Sequence, residues 1–164
     1  CDLRQGLETT LRLLADRLRE RDIQILRNYH TERLIIGRPW QLNQVFLNLL
    51  DNAVRASPPG SRISLSLVET ANDTVLLSVS DEGPGIPAEN RKRIFDPFFT
   101  TRPPGEGTGL GLYLSRQIIE SHGGTMRADN LPGGGCEFTV ELPMSAATNE
   151  REAPTTDKRR GAVA

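Results

Sequence analysis

Asn48 and Asn52 stand one helical turn apart in a stretch that also carries Gln41, Gln44, Asp51 and Arg55. Amide oxygens are hard donors, of the kind Mg²⁺ takes together with waters and substrate phosphates. A guanidinium one turn further on can meet a phosphate. A second group is Ser80-Asp81-Glu82-Gly83-Pro84-Gly85-Ile86. A carboxylate at a strand end can accept a charge-assisted hydrogen bond from an exocyclic amine. Gly83 and Gly85 leave room for a flat ring to approach the backbone, and Ile86 offers an apolar floor. The third group is Gly105-Glu106-Gly107-Thr108-Gly109-Leu110-Gly111-Leu112, leading into a helix. Free backbone N–H groups and the positive end of the helix dipole make such a junction an anion site. Each group also has a plainer reading: a solvated helix face, an Asp-Gly turn, a glycine-rich loop. No Gly-Lys-Ser/Thr is present, which excludes a P-loop. Arg102-Pro103-Pro104 is not a strand, which excludes a dinucleotide fingerprint.

Hydrophobic spacing supplies the elements that must position these groups. Leu3, Leu7, Leu11, Leu14 and Leu18 form a helical stripe over 2–21, with Asp2 as N-cap. Alternation predicts a strand over 23–29 and a short neighbour at 34–36. A second helix runs from Pro39 to Ala56, opened by its proline and closed by Ser57-Pro58-Pro59-Gly60. It is apolar around most of its girth and therefore buried. Its polar stripe, an arc of about 100°, faces either solvent or an internal cleft. Asparagine is a poor helix former, so two of them inside a buried helix ask for a reason.

Strands carrying Ile63, Leu65, Leu67 and Val75, Leu77, Val79 join through Asn72-Asp73. A short helix is expected at 88–94 and a loop without hydrophobic period at 97–108. A third long helix follows at 109–121, stopped by His122-Gly123-Gly124. The last hairpin joins 126–128 to 138–142 around Pro132 to Gly135. Mixed order with hairpin-joined strands predicts an α+β fold. It is a two-layer sandwich whose mixed, mostly antiparallel sheet is covered on one face by three helices.

The 164 residues suit one domain, and the net charge of −1 gives no electrostatic case for nucleic acid. Two cysteines make neither a disulfide framework nor a metal spacing. No apolar run reaches the roughly 20 residues that span a bilayer, so no direct membrane contact is expected of this segment. Residues 1–143 are expected to form the domain, and 144–164 a polar, disordered tail. The chain opens on Cys1, which reads as a piece of a longer protein whose anchor or sensor lies upstream.

Together and in order, these groups resemble the ATPase domain shared by histidine kinases, type II topoisomerases, the Hsp90 chaperone and the MutL repair protein. Asn48-Leu49-Leu50-Asp51-Asn52-Ala53 resembles the N box, and Asp81 to Ile86 the first glycine box. Ile94-Phe95-Asp96-Pro97-Phe98-Phe99-Thr100-Thr101 resembles the F box of the sensor kinases, and Gly107 to Leu112 the second glycine box. The resemblance implies the Bergerat sandwich and Mg·ATP as ligand. Asp81 would hold the adenine amine, with Gly83, Gly85 and Ile86 around the ring. Asn52 would ligate Mg²⁺, with Asn48 beside it and Arg55 at a phosphate. Gly107, Thr108, Gly109, Leu110, Gly111 and Leu112 would wrap the phosphates. Residues 97–108 would form a lid anchored by Phe95 and Phe98. Phe98-Phe99-Thr100-Thr101-Arg102-Pro103 resembles the nitrogen-regulation subgroup, with Thr101 and Arg102 at the nucleotide and arginine where lysine is more usual.

One position separates the branches of this family. Its hydrolases, and its serine kinases, carry a glutamate base four residues before the metal-binding asparagine. Asn48 stands there, and an amide takes no proton near neutral pH. That suits transfer to an imidazole, nucleophilic when neutral. Neither His30 nor His122 has the acceptor's helical context, so the acceptor is expected on a separate helical dimerisation domain of the same protein, with a response regulator downstream and a cytoplasmic location. The alternative is a regulatory nucleotide-binding module without phosphotransfer. An ATP hydrolase is disfavoured by Asn48.

Overall fold

Helix α3 (Pro39–Ala56) is the element on which the others are assembled, and the computed structural model describes residues 1–144 around it. Leu42, Val45, Leu49, Leu50 and Val54 have no exposure, so the helix is buried except for its polar stripe and the exposed Trp40 and Leu47 beside it. It packs against α1 (Leu3–Leu13) on one flank, α4 (Gly111–Ser121) on the other, and β3 (Thr74–Asp81) below. Pro39 begins it, and the Ser57 hydroxyl closes it by donating to the Ala53 carbonyl at 2.7 Å.

The sheet order is β1-β2-β3-β5-β4, with β1 (Gln24–Tyr29), β2 (Arg62–Glu69), β4 (Thr125–Asn130) and β5 (Cys136–Pro143). Only β1 and β2 pair in parallel; the other pairs are antiparallel. Ile63, Leu65 and Leu67, Val75, Leu77 and Val79, and Phe138, Val140 and Leu142 all turn toward the helices, as period-two alternation requires. The opposite face is polar. There the Ser80 hydroxyl donates to Glu137 Oε2 at 2.9 Å across the β3–β5 register, which places Glu137 away from the helix layer. The expected mixed sheet under helices is the observed architecture, with the first of the three expected helices divided into α1 and α2.

Several boundaries differ from the sequence expectation. The helix over 2–21 is capped by Asp2, which accepts from the Gln5 N–H, but it bends at Leu14 into α1 and α2 (Ala15–Glu20). Thr10 donates back to the Gly6 carbonyl just before the bend, a bond of the kind that bends helices. Residues 34–36 make no strand, only a bridge from Ile35 to Met144, because Leu34 and Ile36 find no buried position. Residues 88–94 form successive turns instead of a helix: Asn90 and Arg93 bond three residues back, and only Ile94 reaches four. Two helical turns without a buried face do not overcome the nucleation cost. The third long helix starts at Gly111 and not at Gly109, whose φ of +68° lies outside the helical region. Met144 is part of the fold through its bridge, and the rest of the expected tail, 145–164, lies outside the described residues.

Gly6 sits where α1 crosses α3. A Cβ there would lie 2.6 Å from Asn43 Oδ1 and 2.7 Å from Phe46 Cε2. Phe46 is fully enclosed and cannot retreat. Gly6→Ala gains roughly 1 kcal/mol of helix propensity, yet overpacking of this kind typically costs about 1–3 kcal/mol. The variant is therefore expected to be less stable than wild type, read as a lower urea midpoint with unchanged slope.

Candidate functional site

The polar stripe of α3 borders a cavity of about 350 Å³ closed by the loops after β3 and before α4. Asn48, Asn52, Asp81, Gly85, Ile86, Thr101, Arg102, Gly107, Thr108, Gly109, Gly111 and Leu112 line it, so segments far apart in sequence meet at one place. Gly83, Leu110 and Arg55 do not line it. Gly83 serves the wall from behind: a Cβ there would sit 2.7 Å from the Ala56 carbonyl, so glycine lets the loop tuck under the end of α3. Leu110 is the residue before α4, its N–H turned to the Thr108 hydroxyl.

Asn48 is held by α4. Its Nδ2 donates to the Gly111 carbonyl at 3.1 Å and to Ser115 Oγ at 3.0 Å, and Ser115 is fully buried. A carbonyl only accepts, so the amide orientation is set and Oδ1 is left as the free acceptor. Asn52 lies one turn on. Its Oδ1 accepts from Arg102 Nη2 at 2.6 Å, which draws the 97–108 loop down onto α3. Gly107 gives the Arg102 side chain its room, since a Cβ there would stand 2.8 Å from Arg102 Cδ. The Asn52 oxygen therefore already holds a cationic group, and the donor set fits a hard cation that takes one amide oxygen and completes its shell with phosphate and water. No cluster of three His, Cys, Asp or Glu exists among the described residues to hold a metal by protein groups alone.

At the other end of the cavity Asp81 is buried, with Oδ1 accepting from the Gly83 N–H at 2.8 Å. Burial pushes its carboxyl above the usual range, against the pull of the Gly83 and Cys136 backbone N–H groups. Cys136, its cross-strand partner, also lines the cavity. Burial, then the nearby Asp81 charge, lifts that thiol to about 12, so it is a neutral wall. Asp51 stands between the asparagines, where burial raises its carboxyl but Arg17 and Arg55 together lower it further. Arg55 Nε bonds Asp51 Oδ2 at 2.8 Å and Arg17 takes the other oxygen, which is why Arg55 points out of the cavity.

The phenylalanines divide differently from expectation. Phe95 packs partly against the core beneath the Arg116 guanidinium. Phe98 has φ +65° and is 74% exposed, so its side chain anchors nothing within the chain. Its backbone closes on Gly109, where a Cβ would lie 2.4 Å from the Phe98 carbonyl carbon. Phe99 lines the cavity instead. His122, at the stop of α4, accepts the Arg38 N–H at Nε2 and meets the Ile118 carbonyl at Nδ1. That pairing ties the start of α3 to the end of α4. Sequence reasoning also missed Asn90, Phe138 and Thr100 as lining residues. Thr100 stands inside the F box, Asn90 lies between two motifs, and Phe138 gave no signal beyond its strand alternation.

The profile of histidine kinase-, DNA gyrase B- and HSP90-like ATPases matches residues 37–146. The sensor histidine kinase ZraS of Salmonella typhimurium is 38% identical over 138 residues, 84% of this chain and 29% of that protein. The chain thus spans less than a third of this curated relative. Among solved structures, the mycobacterial sensor histidine kinase MprB is 32% identical with a TM-score of 0.77, covering 88% of this chain and 95% of that one. The histidine kinase ThkA, solved in complex with the response regulator protein TrrA, is 29% identical with a TM-score of 0.75, covering 88% and 41%.

Two substitutions test this geometry. Asn48→Asp places a carboxylate against the Gly111 carbonyl and removes a donor, which should cost about 1–3 kcal/mol. Repulsion raises the new carboxyl's native pKa, so stability is lost as pH rises through it and returns in acid. Denaturation of both proteins across pH checks that sign. Asp81→Asn keeps the bond from Gly83 but turns a donor toward the cavity. Adenine-nucleotide affinity should fall about ten-fold or more, the worth of one charge-assisted bond. Because the Asp81 pKa is raised in the fold, wild type loses stability as pH rises through it. The variant should therefore match or exceed wild-type thermal stability at neutral pH while binding worse.

Proposed function

Since this chain belongs to the family of histidine kinase-, DNA gyrase B- and HSP90-like ATPases, we propose that it is the ATP-holding half of a sensor histidine kinase. In this reading Asp81 receives the adenine amine, Gly85 and Ile86 border the ring, and the start of α4 receives phosphate at its positive end. Asn52 is the metal ligand, and Mg²⁺ bound there would offset charge on the phosphate oxygens. Arg102 then leaves Asn52 for a phosphate, and Thr101 and the glycines from Gly107 to Gly111 close around the same group. Arg55 reaches phosphate only by giving up Asp51.

The observation that carries the reading is the held amide of Asn48. Its Nδ2 is committed to Gly111 and Ser115, and its remaining atom is an oxygen with no basicity near neutral pH. Nothing at that place can take a proton from water. Transfer to an imidazole has no such need: the nitrogen lone pair attacks the γ-phosphorus, the bond to the bridging oxygen breaks, and ADP leaves. Catalysis is then positioning and charge neutralisation. The acceptor is a histidine on a helical dimerisation domain of the same protein, and a response regulator takes the phosphoryl group onward, supported by the ThkA–TrrA complex. We place the domain on the cytoplasmic side, where both partners and ATP are found. No described helix is long and apolar enough to cross a membrane.

The test adds an isolated acceptor-helix domain and labelled ATP to this chain and follows acid-labile phosphate. Transfer is expected with Mg²⁺ and not without it, and Asn52→Ala should lower Mg·ATP affinity about ten-fold or more, as loss of a charged-group contact implies. Binding of ATP with no label on the acceptor would favour the regulatory module. Rapid ATP turnover by the lone chain would overturn the part assigned to Asn48.

A further inference from the structure

The geometry points to Asn130 as the residue that positions the adenine end of the cavity, a role that rests on the reading of Asp81 and Ile86 as the base-binding pair. Asn130 is the last residue of β4, and its amide grips one residue of the loop after β3 twice. The Ile86 N–H donates to Asn130 Oδ1 at 2.7 Å, and Asn130 Nδ2 donates to the Ile86 carbonyl at 2.9 Å. This copies the paired bonds that two antiparallel residues exchange in a sheet, with a side chain in place of a strand.

The loop needs such a grip. Pro84 has no N–H, and beyond the strand ladder the hydrogen bonds of 83–86 among the described residues are Gly83 to Asp81 and the Asn130 pair. The register shows what the grip spans. Asn130 pairs with Cys136 on β5, and Cys136 pairs with Asp81 on β3. The loop leaves β3 at Asp81, crosses the end of β5 and is fastened on β4. Two strand spacings, roughly 10 Å, thus separate the backbone of Asp81 from that of Asn130, and the Asn130 amide fastens the loop from the β4 side. The amide also occupies the space beside Gly85: a Cβ there would lie 2.9 Å from Asn130 Oδ1, and the glycine has φ +76°. Gly85 bends the chain so that Ile86 meets the amide. Asn130 does not line the cavity, so its influence on a ligand passes through Ile86 and Gly85.

A positioning residue of this kind should affect the base end and spare the phosphate end. Binding of adenosine and of Mg·tripolyphosphate is measured separately for wild type, Asn130→Ala, Asn130→Asp and Asp81→Asn. Exchange of the Ile86 amide hydrogen is followed in the unliganded proteins. Asn130→Ala is expected to weaken adenosine about ten-fold, leave tripolyphosphate unchanged and speed Ile86 exchange by a similar factor. Asn130→Asp keeps the acceptor for the Ile86 N–H but sets a carboxylate oxygen against the Ile86 carbonyl, and should weaken adenosine at least as much. Equal losses for both ligands would mark a general loosening of the fold and overturn the inference. If Asp81→Asn weakens adenosine and Asn130→Ala does not, the inference fails while the pocket reading stands. If neither changes adenosine binding, the pocket reading itself fails.

Discussion

Burial of α3 governs where the polar groups of this protein can stand. Its apolar residues occupy contacts with α1, α4 and the sheet, which leaves one direction for the stripe from Gln41 to Arg55. With the other sides of the helix packed, the stripe divides: Asn48, Asp51 and Asn52 wall the cavity, while Gln44 and Arg55 stay exposed. Asn48 shows how the constraint is met. Its N–H groups are satisfied inside by α4, and its oxygen is left at the cavity. One amide thereby joins two helices and supplies a neutral acceptor, which a carboxylate could not do without repelling the Gly111 carbonyl.

Charge is arranged along the cavity in the same economical manner. At the Asn52 end Asp51 lies between Arg17 and Arg55, and its ionised form is held by both. Asn52 faces the only cation that reaches it by hydrogen bond among the described residues, Arg102 from the loop. At the opposite end Asp81 is buried with two backbone donors nearby and no cationic side chain bonded to it, so its charge is disfavoured until a further donor arrives. The two ends therefore differ in what they offer a ligand: a cationic guanidinium and amide oxygens at one, a buried carboxylate acceptor at the other.

The glycines between these ends are needed for contact as much as for flexibility. Gly83 lets the loop pass under α3, Gly107 admits Arg102, and Gly109 receives the Phe98 backbone. Each is a place where two segments of the chain approach more closely than a Cβ permits.

Much was legible in the residues alone. Periodicity of 3.6 and of 2 located the helices and strands, because burying one face requires it. The order of Asn48-to-Ala53, Asp81-to-Ile86 and Gly107-to-Leu112 indicated a shared nucleotide site. What tertiary structure decided were the directions of side chains and the ends of marginal elements. Arg55 looked free to meet a phosphate until Asp51 and Arg17 were brought beside it, and Phe98 looked like an anchor until its positive φ turned it outward. Asn130 carried no sequence signal, since it lies 44 residues from the loop it grips. Local spacing fixes which face a residue occupies on its own element. Which partner that face meets depends on contacts distant in the chain, and these exist only once α3 is buried and the strands are in register.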